Sequence, residues 1–287
     1  MLTLTDSALG SLDLRAIASV RSLQIGSPTA REVMRPRALA DGMIDDTNFR
    51  GQRAITLTLT LKDRPCGAEP TTIQGLLDLL LPYVSPRRRP LLTWALPGTE
   101  SEHRAAVVRG VSAPVVIERS KHPTVVVAFV VASGEVFSPT AETLIIDPTT
   151  DVESGRSYNL AFNRVYPAST GIGNRLVINR GNAPAHWKVT LFGVCTNPTF
   201  AVNGSTVAFT ANGGLALPAG GTVMIDTRER TIRYADDPAQ SKYEKVNFTA
   251  WTWDALLLQP GENTVRFNAG SLGTGARAEL TWHPTWE

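Results

Sequence analysis

Residues 54–62, AITLTLTLK, constrain the fold more than any other stretch of the chain. Ile55, Leu57, Leu59 and Leu61 recur at a strict period of two, with Thr56, Thr58 and Thr60 between them. On a helix those leucines would be scattered around the axis; on a strand they share one face. The segment is therefore a β-strand with one face in a core. Its threonine face also favours β structure and can receive a docked neighbour.

The rest of the chain reads around that strand. Residues 2–20 alternate loosely and form short strands joined at Gly10, whereas 23–44 reads as irregular. One helix is predicted, over 72–81: Thr71 or Thr72 caps it, Ile73, Leu76, Leu77 and Leu80 form its apolar stripe, and Pro82 stops it. Strands follow at 91–96, 105–118 and 124–132, the last two forming a long hairpin across the polar turn 119–123. Residues 125–131, VVVAFVV, are apolar on both faces, so that strand needs cover on both sides. Residues 133–151 are rich in turn formers, and the domain boundary is placed there: an N-terminal domain over 1–145 and a C-terminal domain over 146–287.

The second domain reads as β throughout. Strands are expected at 158–166, 175–178, 185–191, 199–202, 206–209, 222–226, 231–234, 256–258, 264–267 and 276–282. Gly, Asn and Pro clusters separate them, the pattern of a two-sheet sandwich. Asp226–Arg230 supplies a hairpin turn, and Gln259-Pro260-Gly261 a reverse turn.

Composition removes several function classes. A net charge of +2 on 287 residues makes no case for nucleic acid or an anionic membrane. The Arg87-Arg88-Arg89 run lies between two prolines without interleaved aromatics and reads as a solvated or subunit-facing loop. No apolar run is long enough to span a bilayer, and no secretory signal is read at the N-terminus. Cys66 and Cys195 read as unpaired buried thiols. His103, His122, His186 and His283 each stand alone, without a second ligand at metal spacing. Asp45-Asp46 and Asp236-Asp237 are neighbours that point apart in extended chain, so neither pair aims two carboxylates at one bond. No catalytic residue, cofactor site or metal site is expected. Trp251 and Trp253 would share a face if extended, giving either a platform for sugar rings or core and interface filling.

Over most of its length the chain resembles the distal tail proteins of long-tailed, non-contractile bacteriophages. The resemblance is carried by DGMIDDTNFRGQRAITLTLTL at 41–61, WKVTLFG at 187–193, TNP at 196–198, IDT at 225–227 and LQPGENTVRF at 258–267. It implies an N-terminal domain that forms a hexameric ring at the end of the tail tube. It also implies a galectin-like or carbohydrate-module-like C-terminal sandwich that projects outward. The implied partners are other copies of the chain, the tail tube protein, the tail-tip hub, the tape measure protein and, through the sandwich, host cell-wall glycan. The implied location is the tail tip of a virion made in the host cytoplasm, with a structural rather than an enzymatic role. A closed ring needs a heterologous interface. The 54–61 strand and the 105–132 hairpin are the expected contact, with Ile55, Thr56, Thr58, Val125, Val127, Phe129 and Val131 as its residues.

Overall fold

The structure is a computed structural model. It describes residues 1–31, 34–36, 43–45, 49–61, 72–95, 102–116, 122–148, 174–235, 237, 239–247 and 252–287. The chain divides into two compact units, 1–139 with 286–287, and 140–285. Both are mainly β.

The first unit is built on two antiparallel sheets. One runs Gly10–Asp13, Leu2–Asp6, Leu91–Ala95, His103–Val107, Val136–Phe137 and Thr285–Trp286. The other has Thr124–Val131 and Arg53–Leu61 at its centre, with Ala18–Ile25 on one edge and Arg109–Ser112 and Val115–Val116 on the other. Alternation decides what faces the core: Ile55, Leu57, Leu59 and Leu61 are fully buried, together with Val125, Val127 and Val131. They pack with Leu2, Leu4, Leu92 and Trp94 from the first sheet.

The expected hairpin is divided between the two sheets. His103–Val107 pairs with Leu91–Ala95, while Arg109–Ser112 and Val115–Val116 pair with Thr124–Val131. The chain changes sheets at Val108, and Gly110 just beyond allows a close passage: a Cβ there would lie 1.7 Å from the carbonyl oxygen of Val84.

Val84 ends the main helix, which runs Ile73–Val84 and so extends past the predicted stop at Pro82. Thr72 caps it, its hydroxyl accepting from the Gly75 amide at 3.2 Å. Proline in the last turn removes one backbone donor, and burial of Tyr83 and Val84 offsets the loss. A second, single-turn helix that the sequence pattern did not indicate, Leu14–Ile17, is capped by Asp13. Among the described residues no helix is long and apolar enough to cross a membrane.

The second unit is a two-sheet sandwich. Its five-stranded sheet runs Glu142–Ile146, Arg277–Trp282, Trp187–Phe192, Thr222–Asp226 and Thr231–Tyr234. Its four-stranded sheet runs Asn174–Asn179, Gly261–Asn268, Thr199–Val202 and Ser205–Ala208. Trp187, Val189, Leu191, Ile225 and Leu280 from one sheet meet Phe200, Val207, Val265 and Phe267 from the other. Glu142–Ile146 is a strand inside the stretch read as turn-rich. The strand expected at 256–258 is instead a 3-10 turn, Asp254–Leu256, followed by a single bridge at Leu258. The strand expected at 158–166 lies outside the described residues.

Buried polar groups pin the sandwich at its turns. Asn263, 1% exposed, accepts from the Gln259 amide at 2.8 Å. It also donates to the carbonyls of Gln259 and Gly261 at 2.8 and 2.9 Å, holding the Pro-Gly turn shut. Thr227, equally buried, donates to the Trp187 carbonyl at 2.8 Å and accepts from the Trp187 amide at 2.9 Å.

Candidate assembly face

The register of the central sheet in the first unit separates an inner from an outer face. Val126 lies opposite Thr58, which lies opposite Ser22; Ala128 lies opposite Thr56, which lies opposite Gln24. With Thr124 these residues make an outer surface that carries no charge on either central strand; Thr60 and Val130 continue that face at its two ends but are buried. Arg21 reaches it from the edge bulge, its Nε donating to the Thr60 hydroxyl at 3.1 Å. On the opposite edge Val111 and Val116 are exposed, at 62% and 46%.

The residues expected at the interface thus fall on two faces. Ile55, Val125, Val127, Phe129 and Val131 are 0–2% exposed and fill the unit's own core. Thr56 and Thr58 stand on the outer face beside Val126 and Ala128. The apolar strand finds its cover on the inner face within the unit, and among the described residues the outer face at Thr56, Thr58, Val126 and Ala128 is only partly covered.

A second feature lies where the sequence reads as irregular. The ladder between Ala18–Ile25 and Arg53–Leu61 continues as a two-stranded ribbon. Gly26 donates to Ala54 and Thr29 to Gln52, both at 2.9 Å. Ala30–Arg31 then pairs with Phe49–Arg50, and Met34–Pro36 with Met43–Asp45. Among the described residues each of these short strands pairs only with its opposite. Two strands alone are marginally stable in water.

The basic loop is braced locally. Arg88 donates to Asp6 Oδ1 at 2.9 Å, and that oxygen also accepts from the Ala8 and Leu9 amides at 2.9 and 3.3 Å. These bonds, the one from Ala8 foremost, hold the Asp6 carboxyl below its ordinary range. Arg87 and Arg89 are exposed beside it.

The other residues singled out by sequence do not converge. Trp251 lies outside the described residues. Trp253 is half-buried, with helical dihedrals (φ −57°, ψ −36°), and meets Tyr243 edge-on at 6.2 Å. The alternation that would put both tryptophans on one face is not the local conformation at Trp253. Among the described residues no three His, Cys, Asp or Glu side chains are grouped to hold a metal ion. Cys195 is buried, which pushes its thiol up to about 11; Cys66 lies outside the described residues.

Two β units, the first with a helix at its core and an uncharged sheet face, define a mainly β chain of a particular architecture. The Dit protein (gp 19.1) of phage SPP1, described as a paradigm of the hub adsorption apparatus in phages infecting Gram-positive hosts, has that architecture. The two align over 100% of both chains with a TM-score of 0.61 at 11% identity, and the chain has the Dit-like fold. Two structures of the phage P2 baseplate in its activated conformation, one with Ca and one with Sr, match at TM-scores of 0.47. Each is 10% identical and covers 98% of this chain, and 96% and 97% of theirs. The fold assignment rests on the SPP1 protein. No family model and no curated protein matches the sequence.

Proposed function

We propose that the chain is a structural protein of a bacteriophage tail tip, with copies assembling through the first unit into a hexameric ring that joins the tail tube to the tip hub. The observation that carries this reading is the whole-length likeness to the SPP1 Dit protein. The outer face of the first unit's central sheet, uncharged along its two central strands, supports it physically. It is a surface that water alone serves poorly, and the occupant is a second copy. Among the described residues the sheet has two unpaired edges of different sequence, Ala18–Ile25 and Arg109–Ser112. Addition of one edge to the other, copy after copy, is the heterologous contact that a ring needs. The second unit then serves as an accessory sandwich of the galectin-like kind. Tail tube and hub proteins are the partners of the assembled ring, and the tail tip of the virion is its location.

Negative-stain electron microscopy of the purified protein tests the proposal, with closed rings around a central opening as the expected result. A chain that stays strictly monomeric at micromolar concentration, by light scattering with mass analysis, overturns it.

A further inference from the structure

The outer face of the second unit's four-stranded sheet carries a cleft of about 450 Å³, lined by Asn174, Thr199, Thr206, Thr264, Arg266 and Asn268. Val265 and Phe267 are fully buried, so Thr264, Arg266 and Asn268 alternate to the outside of the same strand. Register puts Arg266 opposite Asn174 on one side and opposite the small Ala201 on the other. Asn268 lies opposite Thr199. The cleft exists because Ala201 and Gly204 leave the space beside the arginine unfilled.

Hydrogen-bonding capacity in the cleft is largely unspent. Arg266 and the Asn174 amide have no hydrogen bond or ion pair among the described residues. Asn268 Oδ1 accepts from the Ala269 amide at 2.8 Å, which leaves its NH₂ group available. The Thr199 hydroxyl donates to the Asn268 carbonyl at 3.3 Å and retains its acceptor lone pairs. The carboxylate on the outer positions of these strands, Glu262, is four residues from Arg266, about 13 Å along an extended chain. Among the described residues the cleft therefore has one cation without a counter-charge, ringed by amides and hydroxyls. Among the described residues no aromatic ring lines it.

We propose that this cleft binds an anionic polyhydroxylated chain: a saccharide or polyol bearing carboxylate or phosphate groups. A guanidinium matches either anion through paired N–H donors, and the surrounding amides and hydroxyls match the ligand's own hydroxyls. The volume falls in the range of small-ligand sites. Without a stacking platform, charge and hydrogen bonds supply the recognition, so binding weakens as salt rises. The inference uses the second unit alone and stands apart from the ring.

Calorimetric titration of the full chain tests it with three probes of matched length: oligogalacturonate, poly(glycerol phosphate) and a neutral malto-oligosaccharide. Saturable binding of at least one acidic probe, with the neutral one silent, is expected. The two acidic arms tell carboxylate from phosphate. Arg266→Gln should weaken binding about tenfold or more with its thermal midpoint unchanged, since the lost contact is a charge-assisted pair at an exposed side chain. Hydrogen–deuterium exchange should show protection at 199–206 and 261–268 on binding. Equal binding of the neutral probe, failure of both acidic probes, an unaffected Arg266→Gln variant, or protection confined to other strands each overturns the proposal.

Discussion

The two units present opposite kinds of sheet surface to their surroundings. On the five-stranded sheet of the second unit, outward positions carry Lys188 beside Asp226, and Glu279 beside Thr190. Arg277 stacks its guanidinium 4.1 Å from the Phe192 ring centroid and donates to Glu279 at 3.0 Å. Opposite charges interleaved on a sheet face, with Arg277 and Glu279 paired, keep that face in water and discourage a second copy from docking there. The central sheet of the first unit shows Thr56, Thr58, Val126 and Ala128 at the equivalent positions and has no charge on the outward positions of its two central strands, Arg53 being buried on the inner face. Both units have a dense core, so the difference is not one of stability. It identifies the surface on which association costs least desolvation.

Two neighbouring substitutions probe that comparison most strongly. Val127→Glu places a carboxylate among Leu57, Leu59 and the rest of a fully buried apolar core. It should unfold the first unit, at a cost above about 4 kcal/mol. Val126→Glu, one residue away and on the other face, should leave the circular-dichroism melt near that of the wild type and abolish assembly in light scattering. A Val126→Glu variant that assembles normally would remove the outer face from the interface.

The next largest effect isolates the second unit. Phe267 is fully buried between the two sheets, and Phe267→Ala should cost about 3–5 kcal/mol. Differential scanning calorimetry should show that loss in one transition, with the first unit's transition in place. Concerted loss of both would break the separation of the chain into two folding units. Asn263→Ala should follow with about 1–3 kcal/mol, because the amide and carbonyls of the Pro-Gly turn lose their buried partner. Faster hydrogen exchange at the Gln259 amide is its specific signature, and unchanged exchange there would show that the turn holds without the side chain.

These cases also show what the sequence could reveal. Arg53–Leu61 was legible because leucine and threonine alternate without exception, so inner and outer faces follow from the residues themselves. In Thr124–Val131 both faces are apolar, and periodicity cannot say which valines point inward. Only the pairing of Val127 with Leu57 and Val126 with Thr58 decides it, and that register is set by the partner strand. The ribbon of Met34–Pro36 and Met43–Asp45 has no alternation of its own. Its proline is tolerated because, among the described residues, no third strand pairs with Met34–Pro36. Glu142–Ile146 was hidden by the turn formers around it, and the 256–258 leucines were misread because an apolar run can fill a core from a 3-10 turn as well as from a strand. The cleft around Arg266 gave no signal at all: in GENTVRFN its polar residues read only as the wet side of a strand.

The smallest expected effect separates the units by pH. Asp6 belongs to the first unit, where the Ala8 and Leu9 amides and Arg88 favour its ionised form and lower its pKa from 3.8. A carboxyl whose folded pKa is depressed binds its proton more readily in the unfolded chain. Its stabilising contribution is therefore full above the unfolded value and is lost as pH falls through the folded one. Acidification from pH 5 to below the ordinary aspartate range, about 3.9, should lower the first unit's melting transition through Asp6. Asp6→Asn should flatten that part of the acid response and leave the second unit's curve unchanged. An Asp6→Asn variant with the wild-type acid profile would show that the turn at Ser7–Leu9 is held by its backbone and not by this carboxylate.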